Sequence, residues 1–136
     1  MADLTVTANS VVTAGQFATG IAGESITAGQ AVYMDAADSQ KIKKAVATSQ
    51  AAAAAVGIAL NAAAAGQKVS YSQDGAEVTV GGSPTVGKPY YVSAGAAGGI
   101  APEADLTTGN FTTFLGFCLA ANKITQSVRA AGVARA

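Results

Sequence analysis

Apolar and polar residues alternate in short runs along this chain, and glycine-bearing clusters break the runs. Alternation over four to eight residues marks a strand with one buried face. Leu4-Thr5-Val6-Thr7 and Val11-Val12-Thr13 show it weakly and stop at Gly15 and Gly20, which predicts an extended N-terminal arm or edge strand over 1–20. Gly29 then predicts a tight turn, because glycine takes positive φ without steric cost. Ala31-Val32-Tyr33-Met34 and Lys41-Ile42-Lys43-Lys44-Ala45-Val46 follow as strands, joined by the turn cluster Asp35–Ser39. Thr48–Ala55 is rich in alanine, the best helix former, with Thr48 or Ser49 as a cap for a turn or two. Val56-Gly57-Ile58-Ala59-Leu60 predicts a strand whose glycine admits a close neighbour. Gln67–Ser72 and Glu77–Val80 predict two more strands, and Asp74-Gly75 between them reads as a hairpin turn.

The pattern occurs twice. Thr27-Ala28-Gly29-Gln30-Ala31-Val32-Tyr33-Met34-Asp35 matches Thr85-Val86-Gly87-Lys88-Pro89-Tyr90-Tyr91-Val92-Ser93 at an offset of 58, and Ile42 falls on Ile100 at the same offset. Val56-Gly57-Ile58-Ala59-Leu60 matches Leu115-Gly116-Phe117-Cys118-Leu119 at an offset of 59. Gly66–Val69 stands loosely beside Ile124–Val128. The expected fold is therefore mainly β: a compact small barrel or sandwich with an internal duplication, an extended N-terminal arm and at most one short helical segment. Residues 1–20 form the arm and 21–136 a β-rich domain with related units at about 22–72 and 84–129. One strand–turn–strand unit cannot bury its apolar face alone, whereas two share a core and dispose of open edges.

Composition narrows the partners. Half of the 136 residues are hydrophobic, but much of that is alanine, and there is no tryptophan, so the core is thin. Such a domain gains from burying further surface against neighbours. Eight basic and eight acidic residues cancel, and only Lys41, Lys43 and Lys44 cluster, which is no footprint for a nucleic acid. The start Met1-Ala2-Asp3 resembles no signal peptide and no apolar run suits a membrane span, so the expectation is synthesis in the cytoplasm without membrane contact.

Chemistry is sparse. The chain lacks histidine, the commonest general base and a frequent zinc ligand. The lone Cys118 sits in the apolar run Phe114–Leu119, which predicts a buried thiol. Asp35 with Asp38, Asp74 with Glu77, and Glu103 with Asp105 are pairs without the ligand spacing of a calcium loop. Gly81-Gly82-Ser83-Pro84 and Gly95–Gly99 lack the lysine and hydroxyl residue of a phosphate loop. The reading is no enzyme, no cofactor and no metal. Tyr33, Tyr90 and Tyr91 occupy equivalent strands, and alternation sends Tyr90 and Tyr91 to opposite faces. These tyrosines, with Lys41, Lys43 and Lys44, are the candidate interface residues; lysines on a solvated strand face are the plainer reading of the last three.

Ala28-Gly29-Gln30-Ala31-Val32-Tyr33-Met34-Asp35, Val56-Gly57-Ile58-Ala59-Leu60 and Ala63-Ala64-Ala65-Gly66-Gln67-Lys68-Val69 together resemble the capsid decoration, or head cement, proteins of tailed bacteriophages. The resemblance covers about 22–71 and, through the repeat, 85–128 more loosely; the second unit departs from the simpler ending expected of that family. It implies a β-rich virion protein on the outer capsid surface that docks on assembled major capsid protein, often as trimers, and stabilises subunit contacts without catalysis. The alternatives are another virion part, such as a head-fibre base or tail component, or a carbohydrate- or surface-binding β-module. The last requires Tyr33, Tyr90 or Tyr91 to line one open groove.

Overall fold

The computed structural model describes residues 12–14, 17–79, 84–102, 106, 109–120 and 123–134. Its strands are β1 (Val12–Ala14), β2 (Phe17–Ile21), β3 (Ala31–Asp35), β4 (Lys41–Lys44), β5 (Ala55–Ile58), β6 (Lys68–Ser72), β7 (Glu77–Thr79), β8 (Pro89–Val92), β9 (Ile100–Pro102), β10 (Phe111–Ala120) and β11 (Lys123–Ala134). A single α-helical turn, α1 (Gln50–Ala53), precedes β5, and the Ser49 side chain caps it by accepting from the Ala52 N–H at 3.3 Å. The mainly β expectation holds, with one short helix among the described residues. Residues 1–11 lie outside those described, but β1 and β2 put two stretches of the expected arm into sheets.

The sheets run β1-β7-β11-β10-β8-β9, β2-β6 and β4-β3-β5. They are not closed into a barrel. β5 meets β6 through one isolated bridge, Ala59 to Tyr71, and the end of β2 meets β4 through Ala22 and Ile42. The expected Asp74-Gly75 hairpin does not form. β6 spends its ladder on β2, and β7 pairs with β1 and β11, so this turn passes the chain from one unit to the next.

The duplication extends to the hydrogen-bond register. β3 pairs with β4 through Val32–Lys44, Tyr33–Lys43 and Met34–Ile42; β8 pairs with β9 through Tyr90–Pro102, Tyr91–Ala101 and Val92–Ile100. Each of these pairs maps onto its counterpart at an offset of 58. β3–β5 and β8–β10 agree equally, with Ala31–Ile58, Val32–Gly57 and Tyr33–Ala55 matching Pro89–Phe117, Tyr90–Gly116 and Tyr91–Phe114, bulge included. The entry turns match as well. Gly29 (φ 91°) and Gly87 (φ 89°) donate to the carbonyls of Ala59 and Cys118. The first unit is thus the sheets β2-β6 and β5-β3-β4, and the second is built on β7-β11-β10-β8-β9, with β1 added at its β7 edge.

The end of the repeat lies elsewhere than its sequence suggests. A Cβ on Gly57 would collide with the Ser72 carbonyl oxygen, and one on Gly116 with that of Thr125. Ser72 and Thr125 are therefore equivalent, at an offset of 53, and Val69 is not the counterpart of Val128. The loop before β11 is shorter than the one before β6, which moves the alignment without moving the strands.

Each unit has an inner and an outer face, and the two units bury them differently. The first unit's inner face (Val32, Ile42, Ala59, Val69 and Tyr71) forms its own cluster, roofed by Ala22, Ile26 and Ala63. Ile26 and Ala63 exchange backbone hydrogen bonds of 2.8 and 2.9 Å in that roof. Its outer face contributes Ala31, Ala55 and Ile58, with Tyr33 and Leu60 beside them, to the second cluster. There they meet the second unit's inner face, including Tyr90, Val92, Ile100, Leu115, Cys118 and Ile124. Small alanines on one side receive larger side chains from the other, so a thin sequence still fills a core.

Gln126 of β11 fastens the units. Its side chain is buried; Oε1 accepts from the Ser72 hydroxyl, which itself accepts from the Ile58 N–H at 3.1 Å. Nε2 lies 3.3 Å from the Val56 carbonyl, 3.2 Å from that of Ser72 and 3.3 Å from Asp74 Oδ1. Thr113 of β10 donates to the Ala53 carbonyl at the end of α1. The second unit thereby donates to carbonyls of the first at β5, β6 and α1.

Two predictions follow from these contacts. Gly57→Ala and Gly116→Ala each force backbone apart and should cost about 3 kcal/mol or more. Gly87→Ala, with open space around it, should cost only about 1 kcal/mol of positive-φ strain; urea unfolding of the three variants checks the order. Gln126→Met keeps the volume but strips partners from buried carbonyls and the Ser72 hydroxyl, and should cost about 2–3 kcal/mol in the same assay.

Candidate functional site

The β3–β4 hairpin gathers Tyr33, Lys41, Lys43 and Lys44. Asp35 ends β3 and caps the 3-10 turn Ala36–Asp38, its Oδ1 accepting from the Ala37 N–H at 3.0 Å. That turn returns the chain so that Lys43 stands opposite Tyr33 and Lys41 opposite Asp35. Lys43 Nζ lies 2.9 Å from Asp35 and 3.1 Å from Asp38, and Lys41 lies 3.9 Å from Asp38. Lys44 reaches Glu24 at 4.0 Å, and its N–H donates to the same carboxylate at 2.8 Å. The three lysines are thus paired with three carboxylates. The acids are the part that charge counting missed as a network, although Asp35 and Asp38 were visible as a pair.

Electrostatics follow from this packing. The hydrogen bond from Lys43 holds the Asp35 carboxyl below its ordinary value, aided by the Ala37 N–H. Hydrogen bonds to Asp35 and then Asp38 hold the Lys43 ammonium above its own. Burial, then the Asp35 charge, push the Tyr33 phenol up. The second unit has Ala101 and Pro102 at the positions of Lys43 and Lys44, so the charged hairpin belongs to the first unit alone.

The three tyrosines do not share a groove. Tyr90 is buried in the core between the units, and its hydroxyl accepts from the Thr85 N–H at 2.8 Å. Tyr90 is therefore withdrawn from the interface candidates: its strand face is the one that packs onto the first unit. Tyr33 packs against that same cluster on the other unit. Tyr91 is also partly buried against that cluster and stands edge-on to Phe114 at 5.8 Å, with Phe114 in turn edge-on to Phe117 at 5.0 Å on the surface beyond it.

That surface is the outer face of the second unit. Phe117 is 45% exposed and Leu119 62%; Val86, in the turn before β8, is 59% exposed. Cys118, between Phe117 and Leu119, is buried as expected, with Sγ 3.5 Å from the Pro84 carbonyl. The run Phe114–Leu119 reads as wholly buried by hydrophobicity. Alternation around Cys118 was the one available signal that two of its large residues face outward. A shallow depression of about 330 Å³ on the first unit is lined by Phe17, Leu60, Asn61 and Ser70. Its Asn61 side chain is occupied by the Ala62 and Lys68 carbonyls and the Ser70 N–H.

The remaining acids hold structure. Asp74 accepts from the Val128 N–H at 3.0 Å as well as from Gln126, and Glu77 pairs with Lys123 at 3.3 Å. Glu103 and Asp105, and the glycine segment 81–83, lie outside the described residues. Among the described residues no group of three or more acids or cysteines is placed to hold a metal, and no helix is long and apolar enough to cross a membrane. No family model, curated protein or solved structure matches this chain.

Because the folded Asp35 carboxyl titrates below its unfolded value of 3.8, its stabilising contribution is present above that pH and is lost as pH falls through the lower folded value. Asp35→Asn, which retains an acceptor for Ala37, should therefore melt below the wild type at neutral pH. The difference should close in strong acid. Paired melting curves across that range check it, and a gap that stays constant would exclude the charge as its source.

Proposed function

We propose that this chain is a structural virion protein that binds the outer surface of an assembled capsid and stabilises contacts between major capsid protein subunits. The observation that carries the reading is the β3–β4 hairpin. Lys41, Lys43, Lys44, Asp35, Asp38 and Glu24 are fixed there by mutual ion pairs, presenting both signs of charge on a short, rigid support. A preorganised polar surface loses little side-chain entropy on docking, and its alternation of charge selects a protein surface of opposite alternation. The overall charge balance suits repeated binding on a protein lattice without capture by nucleic acid. The resemblance of 22–71 to head cement proteins points the same way.

Mixing the purified chain with capsids that lack it should give saturable binding and raise the temperature at which the shells open. Lys41→Glu, which reverses a half-exposed charge on the hairpin without touching the core, should weaken binding about tenfold, with the chain's own melting little changed. Binding no better than an unrelated β-protein of similar size, or binding to tails in place of shells, would refute the assignment.

A further inference from the structure

Asp74-Gly75, in the link from β6 to β7, is the one place in the chain where an aspartate or asparagine precedes glycine. In such a pair the glycine nitrogen closes readily on the side-chain carboxyl carbon, because no side chain stands beside that nitrogen. The turn leaves room for it. A Cβ built on Gly75 would meet nothing within 4 Å, and the Asp74 side chain is more than half exposed, so water has access. Yet β11 holds both groups that the reaction needs. The Gly75 N–H donates to the Gln126 carbonyl at 2.9 Å, which ties up the proton the nitrogen must lose. Asp74 Oδ1 accepts from the Val128 N–H at 3.0 Å and from Gln126 Nε2 at 3.3 Å, and Oδ2 lies 3.9 Å from Arg129. The Gln126 N–H in turn donates to the Ala76 carbonyl at 2.8 Å. The buried Gln126 side chain also joins the Val56 and Ser72 carbonyls, so the strand that grips the linker is itself anchored in the first unit.

We infer that Asp74-Gly75 is a latent site of isoaspartate formation, closed while β11 grips the linker and open once that grip is released. In the reaction the Gly75 nitrogen attacks Asp74 Cγ and gives up its proton, which departs with the carboxyl hydroxyl as water. The product is a five-membered imide. Water then reopens the imide at one of two carbonyls. Attack at Cγ restores aspartate, whereas attack at the former main-chain carbonyl of Asp74 leaves the chain running on through Cγ, as isoaspartate. The conversion is an isomerisation that needs only water. Isoaspartate adds one carbon to the main chain and leaves the free carboxylate directly on Cα. That carboxylate is too short to reach the Val128 N–H while Gly75 keeps its bond to Gln126. The rate is set by how often the folded chain opens locally at this turn. A linker that has stayed open long enough to react does not close again in its original form, so the chain carries a lasting record that β11 let go. The inference rests on the contacts between the two units and not on capsid binding.

Prolonged incubation of the full chain at neutral pH, folded and in guanidinium chloride, tests it, with isoaspartate located by electron-transfer fragmentation. The unfolded chain should accumulate isoaspartate at residue 74, and the folded chain at least about 100-fold more slowly. Folded Gln126→Met, which loses the side-chain part of the grip, should react about 30-fold faster than the folded wild type. Asp74→Asn keeps an acceptor for the Val128 N–H and reaches the same imide by losing ammonia, so its reaction shows directly as a change of mass. Folding should slow it to a similar degree, which tests the grip even where Gln126→Met fails to fold. Equal rates in the folded and unfolded forms of the wild type or of Asp74→Asn would overturn the inference. An unfolded chain without isoaspartate at residue 74, or a folded Gln126→Met chain no faster than the wild type, would overturn it as well.

Discussion

Two backbone crossings set the geometry of this fold. At Gly57 the chain passes against the Ser72 carbonyl, and at Gly116 against that of Thr125, with no room at either point for a Cβ. A strand held that close to its neighbour cannot slide, because any shift brings a side chain into the crossing. The bulged pairing of β5 on β3, and of β10 on β8, is thereby pinned in one register. The turns at Gly29 and Gly87, each bonded to the strand that carries the crossing, fix where β3 and β8 begin. The matched registers of the two units are the consequence of one constraint used twice.

From identical frames the units diverge through what lies on their faces. The first carries alanine at residues 31 and 55 where the second carries proline and phenylalanine at residues 89 and 114. Small side chains let the second sheet settle on the first, and Gln126 then reaches through to the Val56 and Ser72 carbonyls. The first unit owns a closed core, whereas the second completes its core only by borrowing the first unit's outer face. This dependence makes the pair one cooperative body. It also leaves an asymmetry, a charged hairpin on one unit and exposed Phe117 and Leu119 on the other.

The strands, the single helical turn and the repeat were legible because each rests on local pattern: alternation, a serine cap, glycines at turns. The glycine crossing at Gly57 was legible for the same reason. The Asp74-Gly75 hairpin was misread because a turn signal reports that the chain reverses, not which strand it then pairs with. The alignment of Ser72 with Thr125 was hidden by a change in loop length and by strands that share a backbone position but no residue type. Of the candidate interface residues, Lys41, Lys43 and Lys44 do lie together, but their pairing with Asp35, Asp38 and Glu24 depends on a fold that brings residue 24 beside residue 44.

What the amino-acid order alone determined is the β architecture, its two-unit plan, the burial of Cys118 and the opposed directions of Tyr90 and Tyr91, since period-two alternation and glycine placement are properties of neighbouring residues. Only the tertiary structure decided which face of each unit is covered. Phe117 and Leu119 are as hydrophobic as any core residues, and nothing local distinguishes them from Ile58 and Leu60 at the matching positions of the first unit. Exposure depends on which sheet lies above a residue, and in this chain one of two equivalent faces has a sheet above it.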